Sequence, residues 1–424
     1  NNPNHIILGA QTGGIWQSLD GGDHWSALTD DYVNLSVFSL AIDPKDSSIY
    51  YWGGEQGFFL RSTDQGNTWN DISPENGLGK VARIIINPRN TQEIWIATTR
   101  KGVFHTEDLG ESWNQLISEG IYDLEFNPQD TSMIYASGRN IWVSEDAGNS
   151  FELVQALDSI QGVKMMAVTE HAPDRIYVLQ EDRGKFGGLF ISEDRGLTFE
   201  KIDHDTLNFM GYSFDASDKR GQAPRDMDII VSPTDSNVIF IAGINLWRSM
   251  DGGENFEIAS HWVYSSNPDN RIVGYTHADI DMLKYHNEKV YVASDGGFYL
   301  MPDPIDSIHP ESFQYLGNGV NIHQFYRIGT AQSDTMIVSG GAQDNGSNIL
   351  RNGQWYHWFG ADGMETFITP GDYPVLYGTY QLGGLLQSYD LGESVNYISG
   401  LGDYQGTGRW ITPFESDATG ENIY

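Results

Sequence analysis

The sequence predicts an all-β protein, a β-propeller of four-stranded blades, and three observations support this prediction. A short turn motif recurs along the chain. Short apolar strands flank the motif at regular distances, as in propeller blades. Finally, 48 glycines and 15 prolines among 424 residues supply many turns. The chain is longer than one simple hydrophobic core usually supports, and a repetitive fold accounts for this length.

The recurring motif reads Ser or Thr, any residue, Asp, any residue, Gly, two further residues and an aromatic residue. Ser and Asp side chains can accept hydrogen bonds from nearby backbone N–H groups, and Gly adopts a positive φ at low cost. We therefore interpret each copy as a structural hairpin turn. One carboxylate per turn falls short of the roughly six to eight oxygens that Ca²⁺ takes. The motif aspartates are Asp20, Asp64, Asp108, Asp146, Asp194, Asp251 and, in a degenerate copy with Val395 in the aromatic position, Asp390.

Nine repeat units can be recognised from the strands that precede or replace the motif. They begin near residues 5, 48, 93, 133, 175, 238, 289, 336 and 375, and a tenth starts at Asn422. Seven units fill the first part of the chain, so we predict a seven-bladed propeller over 1–330 and the incomplete start of a second over 331–424. The alternative is a single ring of nine or ten blades. Because the chain stops within a unit, we expect it to be part of a longer protein.

Charge and composition exclude several function classes. The chain has 24 Lys and Arg against 58 Asp and Glu, a formal net charge of −34. Such a surface repels phosphate backbones and anionic lipids, so we expect no nucleic-acid partner. No apolar run is long enough to cross a bilayer, so we expect no membrane insertion. The absence of cysteine excludes disulfides, thiolate metal sites and thiol nucleophiles.

The motif copies resemble Asp-box, or BNR, repeats, which occur in sialidases, sortilin-type receptors and xyloglucanase-type glycoside hydrolases. Over nearly its whole length the chain is similar to the xyloglucanase-type group and to secreted bacterial proteins described as glycosyl-hydrolase-like. Besides the boxes, the resemblance rests on Gly9-Ala-Gln-Thr-Gly-Gly-Ile-Trp16, His277-Ala-Asp-Ile-Asp281, Ser294-Asp-Gly-Gly297, Gly341-Ala-Gln-Asp-Asn-Gly346 and Ala361-Asp-Gly363. It implies a bacterial protein that is secreted or displayed at the cell surface.

The resemblance also implies where catalysis would occur. Xyloglucanase-type enzymes use two aspartates, one to protonate the leaving oxygen and one to activate water. Asp344 matches one of them, whereas Gln11 occupies the position of the other. Because an amide cannot act as a general base, we expect no hydrolysis by this pair. The alternative is a polysaccharide endo-hydrolase that uses Asp344 and an unidentified second acid.

The densest polar cluster in the sequence lies at 277–281. On a strand, alternate residues point to one face, so His277, Asp279 and Asp281 would line up. Together with Asp295 they could hold Ca²⁺ through oxygen, and we expect no other cofactor. The competing interpretation is that these side chains hydrogen-bond the backbone.

Two stretches that mix aromatic and polar residues are candidate binding surfaces. One is the long insertion at 200–228, and the other lies near the expected junction of the two propellers. The candidate residues are Tyr212, Arg220 and Arg225 in the insertion and His323, Tyr326, Trp355 and Trp358 near the junction.

We therefore expect a non-catalytic, exported propeller that binds carbohydrate or protein at the cell surface or in the extracellular matrix. The alternatives are the hydrolase described above and a structural spacer within a larger surface protein.

Overall fold

The computed structural model describes residues 2, 4–154, 157–264, 272–332, 336–371, 373–398, 408–417, 419–420 and 422–424. The chain divides into two compact units, Asn1–Val320 and Asn321–Tyr424, here called the first unit and the second unit. This division falls before the boundary predicted between 330 and 331. That each unit belongs to a separate propeller stays a prediction.

The described part of the first unit contains seven β-sheets, each made of strands that are consecutive in the chain. The first three sheets contain β1 Ile6–Ala10, β2 Gly14–Ser18 and β3 Ser26–Ala27; β4 Ser39–Ile42, β5 Tyr50–Gly53, β6 Phe59–Ser62 and β7 Asn70–Asp71; and β8 Val81–Ile86, β9 Ile94–Thr98, β10 Gly102–Thr106 and β11 Asn114–Ile117. The fourth and fifth sheets contain β12 Ile121–Phe126, β13 Ile134–Gly138, β14 Ile141–Ser144 and β15 Glu152–Leu153; and β16 Lys164–Val168, β17 Ile176–Asp182, β18 Lys185–Ser192 and β19 Glu200–Ile202. The sixth and seventh sheets contain β20 Asp228–Val231, β21 Ile239–Ala242, β22 Leu246–Ser249, β23 Glu257–His261 and β24 Gly274–Tyr275; and β25 Ile280–His286, β26 Lys289–Ser294, β27 Gly297–Met301 and β28 Gln314–Tyr315. Neighbouring strands are antiparallel except for β23 and β24, which pair in parallel.

The second unit contains two four-stranded antiparallel sheets in its described residues. The strands are β29 Phe325–Thr330, β30 Val338–Ala342, β31 Ser347–Arg351 and β32 Gln354–Phe359 in one sheet, and β33 Gly363–Ile368, β34 Leu376–Tyr380, β35 Gly384–Ser388 and β36 Asn396–Tyr397 in the other. A short 3-10 helix at Gln381–Gly383 joins β34 to β35. Across the described ranges of both units, no helix is long and apolar enough to span a membrane.

The middle strands of the sheets are apolar on both faces. Every residue of β9 and of β13 is buried, because neighbouring sheets cover both faces of these short apolar runs. One hydrophobic cluster shows this packing, since it joins Trp95 of β9 to Ile121 of β12 in the next sheet. The last strands, such as β7 and β15, are short and exposed. The core is therefore a series of apolar layers between successive sheets.

The first and seventh sheets of the first unit are neighbours. Trp25, which lies just before β3, donates a hydrogen bond from Nε1 to the backbone carbonyl of Leu316 at 2.8 Å. The same indole packs edge-on against Phe298 of β27, with ring centroids 6.0 Å apart. The succession of sheets thus returns to its start, as in a β-propeller. The predicted fold class is confirmed, and the number of blades per ring stays a prediction.

The recurring motif forms the same hydrogen-bonded turn in each of its seven copies. In the second copy, Ser62 Oγ donates to Asp64 Oδ1 at 2.8 Å and accepts the N–H of Gly66 at 2.8 Å. Asp64 Oδ1 also accepts the N–H of Thr68 at 2.9 Å. The degenerate copy keeps the three bonds although Val395 replaces the aromatic residue. The same bonds surround the other box aspartates, Asp20, Asp108, Asp146, Asp194 and Asp251.

Candidate functional site

The insertion between β19 and β20, residues 203–227, is fixed to the first unit by buried side chains. The amide nitrogen of Asn208 donates to two carbonyls of the insertion, and its oxygen accepts the N–H of Phe186 in β18 at 2.9 Å. Phe209 is 1% exposed and packs against Trp247 of β22. The indole of Trp247 donates to the carbonyl of Phe209 at 2.9 Å. The insertion is therefore anchored to two neighbouring sheets.

Four aromatic rings, two in this insertion and two at or just after the end of β23, form a partly exposed surface, here called the aromatic platform: Tyr212, Phe214, His261 and Trp262. Tyr212 and Trp262 meet edge to face with centroids 6.0 Å apart, and Phe214 and His261 do so at 5.5 Å. The Trp262 indole donates to the carbonyl of Tyr212 at 3.0 Å. Phe214 and Trp262 leave 40% and 38% of their surfaces exposed, so each ring is accessible to an incoming apolar group.

The two predicted arginines of the insertion have different surroundings. The guanidinium of Arg220 lies 5.5 Å from the centroid of the Tyr212 ring, so it borders the aromatic platform. Arg225 pairs instead with aspartates: its Nη2 lies 2.7 Å from Asp295 Oδ2, and its Nε lies 3.5 Å from Asp226 Oδ1. Only Arg220 is therefore placed to contact a ligand on the platform.

The charges of four aspartates act on Arg225, and these residues are here called the acidic cluster: Asp226, Asp279, Asp281 and Asp295. The side chain of Asp226 is 0% exposed, and neither of its oxygens has a hydrogen bond. Burial, followed by the negative charges of Asp279 and Asp281, raises the pKa of Asp226 to about 8. The cluster thus contains a buried carboxyl group that one guanidinium does not satisfy.

The metal ligands predicted from the sequence were His277, Asp279, Asp281 and Asp295. The alternation on which this prediction relied is wrong, because β25 begins only at Ile280 and Asp279 has a φ of 62°. Carboxylate oxygens of Asp279 and Asp295 lie within 4.8 Å of each other. The ring of His277 lies against Gly296 instead, where a Cβ atom would come within 2.1 Å of it. The structure therefore brings Asp279 and Asp295 together and holds His277 against the backbone.

The insertion contributes to the position of Asp279. The amide of Gln222 donates to Asp279 Oδ1 at 2.9 Å. The left-handed backbone at Asp279 is a conformation that Asp and Asn adopt more readily than most residues. The acidic cluster is therefore connected to the insertion, which carries Tyr212 and Phe214 of the aromatic platform.

The predicted catalytic aspartate lies in the second unit. Asp344 is in the turn between β30 and β31, with a φ of 56°. Its backbone N–H donates to Asp362 Oδ1 at 2.9 Å, so a second carboxylate lies beside it. Gln11, at the other predicted catalytic position, lies in the first unit in the turn between β1 and β2.

The aromatic candidates of the second unit differ in exposure. His323, Phe325 and Trp355 form a stack, with centroids 6.3 and 5.7 Å apart. Trp355 is 51% exposed, whereas Trp358 is 6% exposed and belongs to the hydrophobic core. Tyr326 is half-buried. The prediction of Trp358 as a binding residue is therefore wrong, because its ring fills the space between two sheets.

Sequence reasoning missed Asp226, Phe214, His261 and Trp262. Two aromatic pairs, Tyr212 with Phe214 and His261 with Trp262, were the available signal. Their spacing in the sequence does not show that residues 212–214 and 261–262 come together, because the two segments do not occupy equivalent positions of the repeat. Asp226 could be noticed only as the acidic neighbour of Arg225.

Comparison with known proteins identifies related folds. A family model described as "Photosynthesis system II assembly factor YCF48" matches residues 1–272, which is more than half of the chain. A comparison with curated protein sequences gave no match. Among solved structures, the GH74 xyloglucanase from Xanthomonas campestris is 16% identical with a TM-score of 0.61, over 94% of this chain and 72% of that one.

Two further solved structures are similar to the chain. An ancestral GH74 enzyme is 14% identical with a TM-score of 0.65, over 93% of this chain and 60% of that one, so this chain spans less than two thirds of its length. YCF48 from Cyanidioschyzon merolae is 17% identical with a TM-score of 0.50, over 72% of this chain and 93% of that one. At these identities the likeness shows the fold alone. The predicted resemblance to BNR propellers and to xyloglucanases is confirmed.

Proposed function

Because this chain belongs to the family described as the photosynthesis system II assembly factor YCF48, we propose that it is a non-catalytic β-propeller that binds an exposed segment of a partner protein. The observation that carries this proposal is the aromatic platform beside the anchored insertion. Exposed Phe and Trp side chains on a rigid scaffold are typical anchors of protein interfaces.

The geometry of the platform favours a protein segment over a sugar. Its rings meet edge to face, at 77° for Tyr212 with Trp262 and 64° for Phe214 with His261. Rings in an edge-to-face pair do not present one broad flat face on which a sugar ring stacks, whereas an exposed ring can still contact an apolar or aromatic side chain. Carbohydrate binding was the other predicted activity, and this geometry supports it less well.

The charge of the chain adds a preference for basic partners. At a net charge of −34, the long-range field attracts positively charged segments and repels acidic ones. We therefore propose that the partner segment carries an exposed aromatic or apolar side chain next to lysine or arginine.

The predicted secreted or cell-surface location is part of the same proposal, and fractionation of cells that produce the protein tests it.

A peptide array tests the proposed function. The probes are peptides with one aromatic residue flanked by lysines, with matched peptides in which the aromatic residue or the lysines are replaced. We expect binding of the complete probes, and a loss of affinity of about tenfold or more in Trp262→Ala and Phe214→Ala. Leu197→Ala is the matched control, because Leu197 is 64% exposed in the same unit and lies outside the platform. Failure of all probes, or equal binding by the platform variants, would contradict the proposal.

Hydrolysis of a polysaccharide is a second candidate function, and the surroundings of Asp344 favour it. The backbone N–H of Asp344 donates to a carboxylate oxygen of Asp362, so two carboxyl groups are near each other, as hydrolysis by a pair of acids requires. Release of reducing sugar from xyloglucan or another β-glucan, lost in Asp344→Asn and in Asp362→Asn, would support this function. Asp390→Asn in the same unit is the control. The absence of sugar release by the unaltered protein would exclude hydrolysis of the glucans tested.

A further inference from the structure

We propose that the first sheet binds an extended segment of another polypeptide as a further β-strand, along the edge of β1 that faces away from β2. The first sheet consists of β1, β2 and β3, and β1 lies at its edge. β1 corresponds to the second strand of the other box-bearing sheets, because β2 after it ends at Ser18 of the first Asp box, as β6 ends at Ser62 of the second. Within the described residues of the first unit, the first sheet therefore has no innermost strand. This contact is separate from the aromatic platform, so the inference goes beyond the proposed function.

The innermost strands of the other six sheets of the first unit lie side by side. β4 contacts β8, β8 contacts β12, β12 contacts β16, β16 contacts β20, and β20 contacts β25. The first sheet lies beside the seventh through Trp25 and Phe298, and beside the second through a hydrophobic cluster that joins Ile15 to Trp52. A strand added along β1 would therefore lie between β25 and β4.

The strands on two sides of this place are exposed where their equivalents are buried. All residues of β5 and of β9 are buried, whereas those of β1 are all partly or fully exposed. Met282 of β25 lies in one cross-strand row with Ala293 and Phe298. Phe298 is 6% exposed because Trp25 covers it, but Met282, beside β1, is 44% exposed. The seventh sheet thus presents an apolar side chain that the first sheet leaves uncovered.

The second sheet shows the same pattern from the other side. Leu40 of β4 pairs in register with Trp52 of β5. Trp52 is fully buried, whereas Leu40 is only partly buried in the same cluster. An unpaired strand edge that lies between apolar side chains can bind an extended segment, since main-chain hydrogen bonds supply affinity and the side chains supply specificity.

The innermost strands of the same unit show which segment fits. In β8, Val81, Ile84 and Ile86 pack in the cluster shared with the second sheet, and Ile85 packs towards the fourth. A strand covered on both faces needs apolar residues in succession. We therefore expect a segment of four to six residues, the lengths of β4 and β8, rich in Val and Ile.

The source of the segment follows from the topology and the charge. Each innermost strand that the structure describes already belongs to a sheet of its own, so we assign the place beside β1 to a strand of another polypeptide. The net charge of −34 favours a segment that is flanked by lysine or arginine.

Fluorescence anisotropy with a dye-labelled synthetic peptide tests the inference. The probe carries two lysines followed by the sequence of β8, Val-Ala-Arg-Ile-Ile-Ile. We expect saturable binding to the unaltered protein. The same peptide with N-methyl groups on alternate backbone nitrogens should bind about tenfold or more weakly, because it cannot donate the hydrogen bonds of a strand. The probe should also slow amide hydrogen exchange in β1 and leave that of β5 unchanged.

Variants of the protein locate the binding. Met282→Lys should weaken the binding of the probe by about tenfold or more, because it places a charge beside the added strand. Met250→Lys is the matched control, since Met250 is 43% exposed in the same unit and lies in the sixth Asp box. We expect it to bind the probe like the unaltered protein. Trp262→Ala should also bind normally, which separates this contact from the aromatic platform.

Several results would overturn the inference. They are a failure of the unaltered protein to bind the probe, equal binding of the N-methylated peptide, and unchanged affinity in Met282→Lys. Loss of binding in Trp262→Ala alone would place the probe on the platform instead. If the amides of β1 are protected as strongly as those of β5 before the probe is added, another part of the same polypeptide lies there, and the assignment to a partner is wrong.

Discussion

The carboxylate of Asp123, on the first strand of its sheet, accepts the backbone N–H of Met166 on the first strand of the next sheet at 2.9 Å. Asp228 does the same for the N–H of Leu283 at 2.8 Å. Both aspartates stand five residues before the proline of the following turn, so they occupy one position of the repeat. A buried acid at this position thus joins neighbouring sheets that have no backbone ladder between them.

Replacement of Asp123 should destabilise the first unit strongly. Asp123 is fully buried, and its Oδ1 also lies 3.0 Å from Nε of Arg83. Asp123→Ala leaves the Arg83 charge and the Met166 N–H without this partner. We therefore expect the free energy of unfolding to fall by about 3–5 kcal/mol. Asp123→Asn should cost less, because its amide oxygen can still accept the N–H. Urea denaturation followed by tryptophan fluorescence measures both.

Asp205→Ala is the control for this pair of variants, since Asp205 forms an exposed ion pair with Lys201. We expect it to change the free energy of unfolding by less than about 1 kcal/mol. Equal losses in Asp123→Ala and Asp205→Ala would show that the inter-sheet bond contributes nothing.

The fold was predictable from the sequence because the chemistry of the Asp-box turn is local. Ser62, Asp64 and Gly66 bond to one another within five residues, so their spacing alone reports the turn. The aromatic platform was not predictable, because 212–214 and 261–262 meet only through the packing of the insertion. His277 was misplaced because Asp279 adopts a positive φ, which breaks the alternation expected of a strand.

The hydroxyl group at the first position of an Asp box should stabilise the turn through its hydrogen bonds, whether Ser or Thr carries it. Ser62 is 0% exposed, and its Oγ accepts the N–H of Gly66. Ser62→Ala leaves that buried N–H without its acceptor, so we expect a loss of about 1–3 kcal/mol in unfolding free energy. Thermal and urea unfolding measure the loss. Ser62→Thr is the control and should be nearly neutral, because Thr106 makes the same bonds in the third box. A neutral Ser62→Ala would refute this account of the turn.

Trp25 should stabilise the contact between the first and seventh sheets. Trp25→Phe removes the bond from Nε1 to the Leu316 carbonyl but keeps a ring against Phe298, so we expect a cost of about 1 kcal/mol. Trp25→Ala should cost about 2–3 kcal/mol, since the ring is half-buried. Hydrogen exchange should accelerate in β1–β3 and β25–β28 before it does in the other sheets. A uniform acceleration over the first unit would contradict this role.

The titration of Asp228 should make the stability of the protein depend on pH. Its side chain is buried and accepts the N–H groups of Ile229 and Leu283. Burial raises its pKa from 3.8 to about 7. When an acid has a higher pKa in the folded state than in the unfolded state, its protonated form favours the folded protein more than its ionised form does. Its contribution is therefore complete below pH of about 4 and is lost as the pH rises through about 7.

The free energy of unfolding of the unaltered protein should therefore decrease as the pH rises from about 4.5 to about 7.5. In Asp228→Asn this decrease should be smaller, by up to about 1.4 kcal/mol per pH unit. Some slope should remain, because the pKa of Asp226 is raised to about 8. Urea midpoints across this range measure the slope. Asp108→Asn is the control: hydrogen bonds from Ser112 lower the pKa of Asp108 to about 2, so its titration lies outside the range. If Asp228→Asn and the unaltered protein share one slope, Asp228 does not titrate near neutral pH in the folded protein.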